Sequence, residues 1–163
     1  MSRLRVAVIG VVLDLMIHDI DLLLNMVKAP IESVEALGVS VFGPHEDMAN
    51  ARLRFADGCI ANVTASRISK DRVRKIRFFQ RDAYISIDYA EQEVEGYRLV
   101  RRDGERPTIE GGKLPVTREE PLKRELEDFV RAVRERRRPL VTGEDGLRAL
   151  SLAQAIAEKM ETV

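Results

Sequence analysis

Apolar residues near the start of the chain follow a helical period. Between Val11 and Leu24 they recur at the i, i+3, i+4 and i+7 spacing of a helix that buries one face. Pro30 follows, and proline discourages helix in the residue before it. The pattern therefore predicts an amphipathic helix over residues 11–24, whose buried face is formed by Leu13, Met16, Ile17, Ile20, Leu23 and Leu24.

Beyond Pro30 the period of the apolar residues changes to two, which is typical of strands. Short turn sequences such as Asp57-Gly58 and Arg81-Asp82 separate the alternating stretches. Consecutive strands joined in this way usually pair antiparallel. We therefore predict an α+β fold with one largely antiparallel or mixed sheet of about six strands. The predicted strands cover residues 33–42, 48–55, 59–67, 71–80, 83–88 and 92–101.

The alternation gives the predicted sheet two different faces. In the stretch 59–67, Ala61, Val63 and Ala65 alternate with polar residues, and Ile85 and Ile87 do so in the stretch 83–88. We expect helices to cover this apolar face. The other face is either solvated or packed against the same face of a second subunit. It carries Asn62, Thr64, Ser66, Tyr84, Ser86 and Asp88.

The last third of the chain predicts a loop and two helices. Residues 105–116 have no clear period and contain two prolines and two glycines, so we predict a loop there. The stretches 117–120 and 142–145 both have the spacing of a helix capping box. The apolar stripes of the two helices that follow are Leu122, Leu126, Phe129, Val130 and Val133, and Leu147, Leu150, Ala153, Ala157 and Met160.

Composition and charge fit a globular domain and exclude several classes of protein. The 163 residues suffice for one domain with its own core. Lysine plus arginine equals aspartate plus glutamate, 27 of each, so no overall field favours a nucleic acid or a membrane surface. No stretch approaches the roughly 20 apolar residues of a membrane span. The single cysteine, Cys59, indicates a cytoplasmic protein without a disulfide framework.

Asp14 and His18 are the candidates for chemistry. They lie four residues apart on the predicted helix, so their side chains lie on one side of it. A carboxylate beside an imidazole fixes the tautomer of the ring and favours its protonated form, as a general acid/base requires. The pair equally fits an aspartate favoured by the helix dipole and a histidine that only packs. Spacing alone leaves both interpretations open.

Two motifs at opposite ends of the chain resemble one enzyme family. The stretch 13–24, which contains Asp14 and His18, is similar to the catalytic helix of the Gfo/Idh/MocA family of NAD(P)-dependent sugar and polyol dehydrogenases. The stretches 125–130 and 138–150 are similar to the C-terminal signature of that family. The resemblance makes residues 11–163 the C-terminal domain of such an enzyme. Residues 1–10 are then the remnant first strand of a Rossmann domain, most of which is missing.

The resemblance implies hydride transfer between NAD or NADP and a hydroxyl-bearing carbon of a sugar. His18 would exchange the hydroxyl proton, and Asp14 would orient His18. Gly10 stands where the Gly-x-Gly-x-x-Gly turn of the family begins, but the other two glycines and the family's lysine have no counterpart. We therefore expect Gly10 to be a remnant of a cofactor site. We also expect no cofactor on this chain, and no dehydrogenase activity from it alone.

The resemblance also suggests a substrate and an assembly. Residues 75–89 are most similar to family members that oxidise nucleotide-linked amino sugars, such as UDP-N-acetylglucosamine 3-dehydrogenases. Arg67 and Asn62 are polar strand residues that are candidates for contact with a small-molecule sugar. The family implies a homodimer or a tetramer that assembles through the open sheet face. Neither a nucleic acid nor a membrane is an expected partner.

Two other interpretations remain open. The chain is alternatively a non-catalytic module for sugar binding or dimerisation. A metal site built from Asp14, His18 and Asp21 is the third interpretation, since carboxylate and imidazole both bind zinc or manganese. One helix supplies few ligands, and the other histidine, His45, lies in a distant turn, so we predict no metal site.

Overall fold

The computed structural model describes residues 10–70 and 73–162. The strand predicted over residues 1–10 thus lies, except for Gly10, outside the described residues. A π-helical turn (Val12–Met16) precedes the helices α1 (Ile17–Met26), α2 (Pro121–Glu135) and α3 (Gly143–Lys159). The strands are β1 (Ile31–Val39), β2 (Met48–Phe55), β3 (Ile60–Ser66), β4 (Lys75–Gln80), β5 (Ala83–Asp88), β6 (Glu93–Val100), β7 (Thr108–Leu114) and β8 (Met160–Thr162).

The chain divides into two compact units, each with its own four-stranded sheet. Unit 1 holds the described residues up to Ser69 and those from Ala132 onward, and unit 2 runs from Lys70 to Arg131. The predicted α+β class and the antiparallel pairing are confirmed, but the strands form two sheets where we predicted one. The prediction missed this because β3 and β4 are consecutive in the chain but are not neighbours in either sheet, and a period of two does not say which strands pair.

The sheet of unit 1 has the strand order β3-β2-β1-β8. Its first three strands pair antiparallel, and β8 lies parallel to β1. In β2, exposed and buried residues alternate strictly along all eight positions, as the period of two predicts. The buried residues of these strands form one apolar cluster with side chains from the first helix and from α3. Helices therefore cover one face of this sheet, as predicted.

The first helix is confirmed, and it extends slightly beyond the predicted end. Its buried residues belong to the core of unit 1 and are Val11, Val12, Met16 and Ile20. Leu13, which we placed on the buried face, is 38% exposed. The turn that contains it is a π-helix, in which the N–H of Ile17 reaches back to the carbonyl of Val12. Such turns are rare and often occur at functional sites, and their wider winding changes which residues face the core.

The sheet of unit 2 has the strand order β4-β5-β6-β7, with every neighbouring pair antiparallel. The strand β7 lies within the stretch 105–116, so the loop predicted there is wrong. Gly111 and Gly112, which signalled a loop, have φ values of 147° and 148° within the strand. A Cβ on Gly111 would lie 2.0 Å from the carbonyl oxygen of Gly96, so this position accepts glycine only.

The apolar face that we predicted for β5 is not the covered one. Ser86 is 8% exposed, whereas Ile85 is 37% exposed. The rings of Phe79, Tyr84 and Tyr97 form a row across β4, β5 and β6, with centroids 5.2 and 6.3 Å apart. Tyr84 lies on the same face of β5 as Ser86, and large aromatic side chains of this kind cover a small neighbour.

The helix α2 begins later than its predicted capping box. Pro121 is the first helical residue, a position that suits proline because no N–H is needed there. The carboxylate of Glu120, not the side chain of Thr117, accepts the N–H groups of Leu122 and Lys123. The apolar stripe predicted for α2 is exposed among the described residues. Its members are Leu122, Leu126, Phe129, Val130 and Val133.

The capping box predicted for α3 is confirmed, but most of its predicted stripe is not. The hydroxyl of Thr142 accepts the N–H of Asp145, and the carboxylate of Asp145 accepts the N–H of Thr142 at 2.8 Å. Leu147 and Leu150 are exposed, because the buried face of α3 is rotated by about one residue from the predicted one. The buried residues of α3 are Ala149, Leu152, Ala153 and Ile156.

The capping carboxylate of Asp145 has a lowered pKa. The Thr142 hydroxyl and N–H, followed by Arg148, lower the pKa of Asp145 to about 2. These hydrogen bonds are made to the charged form, so they favour it over the protonated acid. This carboxylate therefore stabilises the fold only while it is ionised.

We expect Asp145→Asn to change how stability depends on acid. Because folding lowers the pKa of Asp145, its contribution is complete above about pH 4, the ordinary value for aspartate, and is lost as the pH falls towards 2. The thermal midpoint of the wild type should therefore fall more steeply below pH 4 than that of the variant. Parallel curves in calorimetric scans from pH 6 to pH 2 would contradict this contribution.

Candidate functional site

Asp47 connects strand ends at one edge of the unit 1 sheet. Its N–H donates to the carbonyl of Val39 at the end of β1, at 2.9 Å. Its carboxylate accepts the N–H groups of Val41 and Phe42, each at 2.8 Å. Its carbonyl accepts the N–H of Arg67, just beyond β3, at 2.9 Å. One buried residue thus orders the loop of residues 40–47 and the ends of three strands.

The first helix begins at the same edge. The N–H of Val11 donates to the carbonyl of Glu46 at 3.3 Å. The carbonyl of Gly10 accepts the N–H groups of Leu13 and Asp14, both at 3.2 Å. The backbone therefore holds the turn that carries Asp14 against the loop of residues 40–47.

Both predicted catalytic side chains are exposed to solvent. Asp14 lies in the π-helical turn and His18 near the start of α1, and both are accessible to a ligand. Within the described ranges they make no hydrogen bond or ion pair with each other. The spacing placed them on one helix correctly, but the catalytic roles stay predictions.

Arg67, one of the two predicted substrate residues, lies beside Asp14. Its Nη2 is 3.8 Å from Oδ2 of Asp14, with 28% of the arginine side chain and 57% of the aspartate side chain exposed. The N–H groups of Phe42 and Val41, and then the charge of Arg67, hold the pKa of Asp47 below its usual range. The structure thus places Arg67 near two carboxylates.

Asn62, the other predicted substrate residue, lies apart from this edge. It occupies the middle of β3, opposite Arg52 of β2, and is exposed on the face that the helices leave open. Within residues 10–70 and 73–162 it contacts neither Asp14, His18 nor Arg67 through a hydrogen bond. Its proposed contact with a sugar stays a prediction without support from this geometry.

Gly10 lies beside the side chain of Glu46. A Cβ on Gly10 would lie 2.8 Å from a carboxylate oxygen of Glu46. A pyrophosphate would have to approach this backbone closely, and the Glu46 side chain would then have to move aside. That carboxylate is the far end of a flexible side chain, so the role of Gly10 as a remnant of a cofactor site stays a prediction.

Asp47 is the residue that the sequence interpretation missed. We assigned it to a turn after Gly43-Pro44, and aspartate is common in turns because its carboxylate accepts nearby N–H groups. That signal predicts a local turn. It does not predict the contacts with the ends of β1 and β3, which depend on the strand pairing.

Residues 10–70 and 73–162 contain neither a cluster of metal-binding side chains nor a helix that could span a membrane. No group of three or more histidine, cysteine, aspartate or glutamate side chains there is arranged to hold a metal ion. None of the helices in these ranges is long and apolar enough to cross a membrane.

Comparisons with known proteins identify relatives of the chain. Residues 5–86 match the model of the GFO/IDH/MocA C-terminal domain family. A UDP-N-acetylglucosamine 3-dehydrogenase from Acidithiobacillus ferrooxidans is 33% identical over 156 residues, which is 94% of this chain and 49% of that protein. The chain thus spans about half the length of this curated relative.

Solved structures agree with the fold. A crystal form of the UDP-N-acetylglucosamine 3-dehydrogenase from Acidithiobacillus ferrooxidans has a TM-score of 0.82 at 31% identity, over 93% of this chain and 48% of that one. A levoglucosan dehydrogenase in complex with NADH has a TM-score of 0.76 at 18% identity, over 92% of this chain and 48% of that one, which shows the fold alone. Because the family model matches just over half of the 163 residues, the chain belongs to the GFO/IDH/MocA C-terminal domain family.

Proposed function

We propose that this chain is the sugar-binding and proton-transfer half of an NAD(P)-dependent sugar dehydrogenase. The observation that carries the proposal is the exposed Asp14–His18 helix, whose start is held at the edge of the unit 1 sheet. The 33% identity over 94% of the chain to a UDP-N-acetylglucosamine 3-dehydrogenase supports a nucleotide-linked amino sugar as the substrate class.

In this proposal His18 exchanges a proton with the reacting sugar hydroxyl. An exposed imidazole reaches a bound sugar without rearrangement of the core. Asp14, one turn earlier, orients the imidazole once the sugar is bound, since catalytic hydrogen bonds often form only in the complex. Hydride transfer needs NAD or NADP, and we propose that another domain supplies the site for it. The half-length match supports this division.

We expect His18→Ala to weaken binding of UDP-N-acetylglucosamine. Loss of one hydrogen bond to a sugar hydroxyl costs about 1 kcal/mol, or about fivefold in the dissociation constant. Isothermal titration calorimetry of the wild type and the variant measures the difference. Asn25→Ala, on the same helix and also exposed, is the matched control and should bind as the wild type does. Equal affinity of all three proteins would contradict a sugar contact at His18.

A second candidate function is a dimerisation module, either as a homodimer or as part of a tetramer. Leu37, Val39 and Met48 are exposed on the face of the unit 1 sheet opposite the helices, and Val39 and Met48 are cross-strand partners. We propose that a second copy covers this face. Leu37→Glu should then lower the mass measured by light scattering, whereas Ser151→Glu, on the exposed side of α3, should not.

We also propose a cytosolic location, which suits the free thiol of Cys59.

A further inference from the structure

Arg67 lies near the carboxylates of Asp14 and Asp47. The carboxylate of Asp14 is 3.8 Å from its guanidinium. The positive charge of Arg67 also contributes to lowering the pKa of Asp47. The backbone of Glu46 lies at the same edge, hydrogen-bonded to the start of the helix. Among the described residues, two carboxylates thus lie near the guanidinium of Arg67.

This balance of charge disfavours Arg67 as an anchor for a phosphate. A phosphate or diphosphate that approaches Arg67 would also approach Asp14 and Asp47, and like charges repel at this range. A role within the protein fits better, because the arginine already lies near carboxylates that need a counter-charge. The backbone N–H of Arg67 donates to the carbonyl of Asp47 as well, so the backbone that carries this side chain is held at the ends of the strands.

We propose that Arg67 is a positioning residue that holds Asp14 in place one turn before His18. Its guanidinium fixes the carboxylate at the exposed start of the helix, and Asp47 fixes Arg67 through the backbone. The importance of Asp14 for a substrate rests on the proposed function, whereas the link from Arg67 to Asp14 rests on the geometry alone.

The ion pair predicts which substitution preserves the role. The nearest guanidinium nitrogen of Arg67 is 3.8 Å from the Asp14 carboxylate, beyond hydrogen-bond distance, so the contact depends on charge and not on the two-pronged geometry of a guanidinium. Arg67→Lys keeps a positive charge within reach and should retain the role. Arg67→Gln keeps the length and polarity of the side chain but removes the charge, so it should not.

Titration with UDP-N-acetylglucosamine tests the proposal through a double-mutant cycle. We expect Arg67→Gln and Asp14→Asn each to weaken binding by about two- to fivefold, as for a partly exposed ion pair. The double variant should be no weaker than either single variant, and Arg67→Lys should bind within about twofold of the wild type. If the effect of Arg67→Gln persists in full in the Asp14→Asn background, Arg67 contacts the sugar itself and the proposal is wrong.

Urea unfolding of the same proteins keeps the two proposals separate. If the wild type does not bind the sugar nucleotide, the proposed function fails, and the unfolding equilibrium then decides the role of Arg67. Coupled residues give a double variant whose unfolding constant matches that of either single variant. If the two substitutions change the unfolding equilibrium constant by independent factors, Arg67 and Asp14 are not coupled. The proposed link is then wrong, whether or not the chain binds the sugar nucleotide.

Discussion

Phe55→Ala is expected to lower the free energy of unfolding by about 3–5 kcal/mol. Phe55 is the largest of the fully buried side chains and ends β2, inside the apolar cluster that joins the unit 1 sheet to the first helix and α3. Truncation removes the whole ring and leaves a cavity that well-packed neighbours fill only in part. Because small domains are stabilised by about 5–15 kcal/mol, a loss of this size is a large share of the total. Urea denaturation followed by circular dichroism measures it.

Phe129→Ala is the matched control for this prediction. The side chain of Phe129 is 58% exposed on α2, so its truncation removes little buried surface. The expected loss is below about 1 kcal/mol. A similar loss for both variants would show that the stripe of α2 is covered in solution, and a loss below about 1 kcal/mol for Phe55→Ala would contradict the position of the core.

Gly111→Ala is the second substitution with a large expected effect. The φ of Gly111 is 147°, and a Cβ there would lie 2.0 Å from the backbone oxygen of Gly96 on the neighbouring strand. A backbone atom cannot move aside as the end of a flexible side chain can. Conformational strain and overpacking together should cost about 2–5 kcal/mol, and should open the pairing of β6 with β7. Amide hydrogen exchange in β7, measured with the unfolding free energy, reports both effects.

Gly112→Ala separates strain from collision. Its φ of 148° is as unfavourable for alanine as that of Gly111, but no atom of the described residues lies within 4 Å of a Cβ at this position. The expected cost is therefore the strain alone, about 1–3 kcal/mol. If the two variants are equally stable, the close approach of β7 to Gly96 is wrong.

Residue spacing alone predicted the first helix and β2. The helical spacing from Val11 to Leu24 and the alternation of β2 required no knowledge of neighbours, and both are confirmed. The strand β7 was missed because glycines such as Gly111 and Gly112 usually interrupt strands. Here Gly111 instead allows β7 to approach β6 closely. The separation into two sheets was missed for a similar reason, since it depends on which strands meet and not on their individual patterns.

The sequence predicted which residues form the candidate site better than it predicted the contacts among them. The spacing of Asp14 and His18, with the family resemblance, selected two exposed residues near the start of the first helix. The backbone hydrogen bond from Val11 to Glu46 holds that start against the loop of residues 40–47. Arg67 was selected as a polar strand residue, but its neighbour Asp14 comes from another part of the chain. The role of Asp47 depends on three strand ends meeting at one edge, which a one-dimensional pattern does not contain.

The most direct test of the proposed division of labour is calorimetric titration of one purified sample with UDP-N-acetylglucosamine and, separately, with NADH and NADPH. We predict saturable heat with the sugar nucleotide and none with either dinucleotide, since the other two glycines of the Gly-x-Gly-x-x-Gly turn have no counterpart after Gly10. Saturable binding of NADH or NADPH without binding of the sugar nucleotide would contradict the proposal.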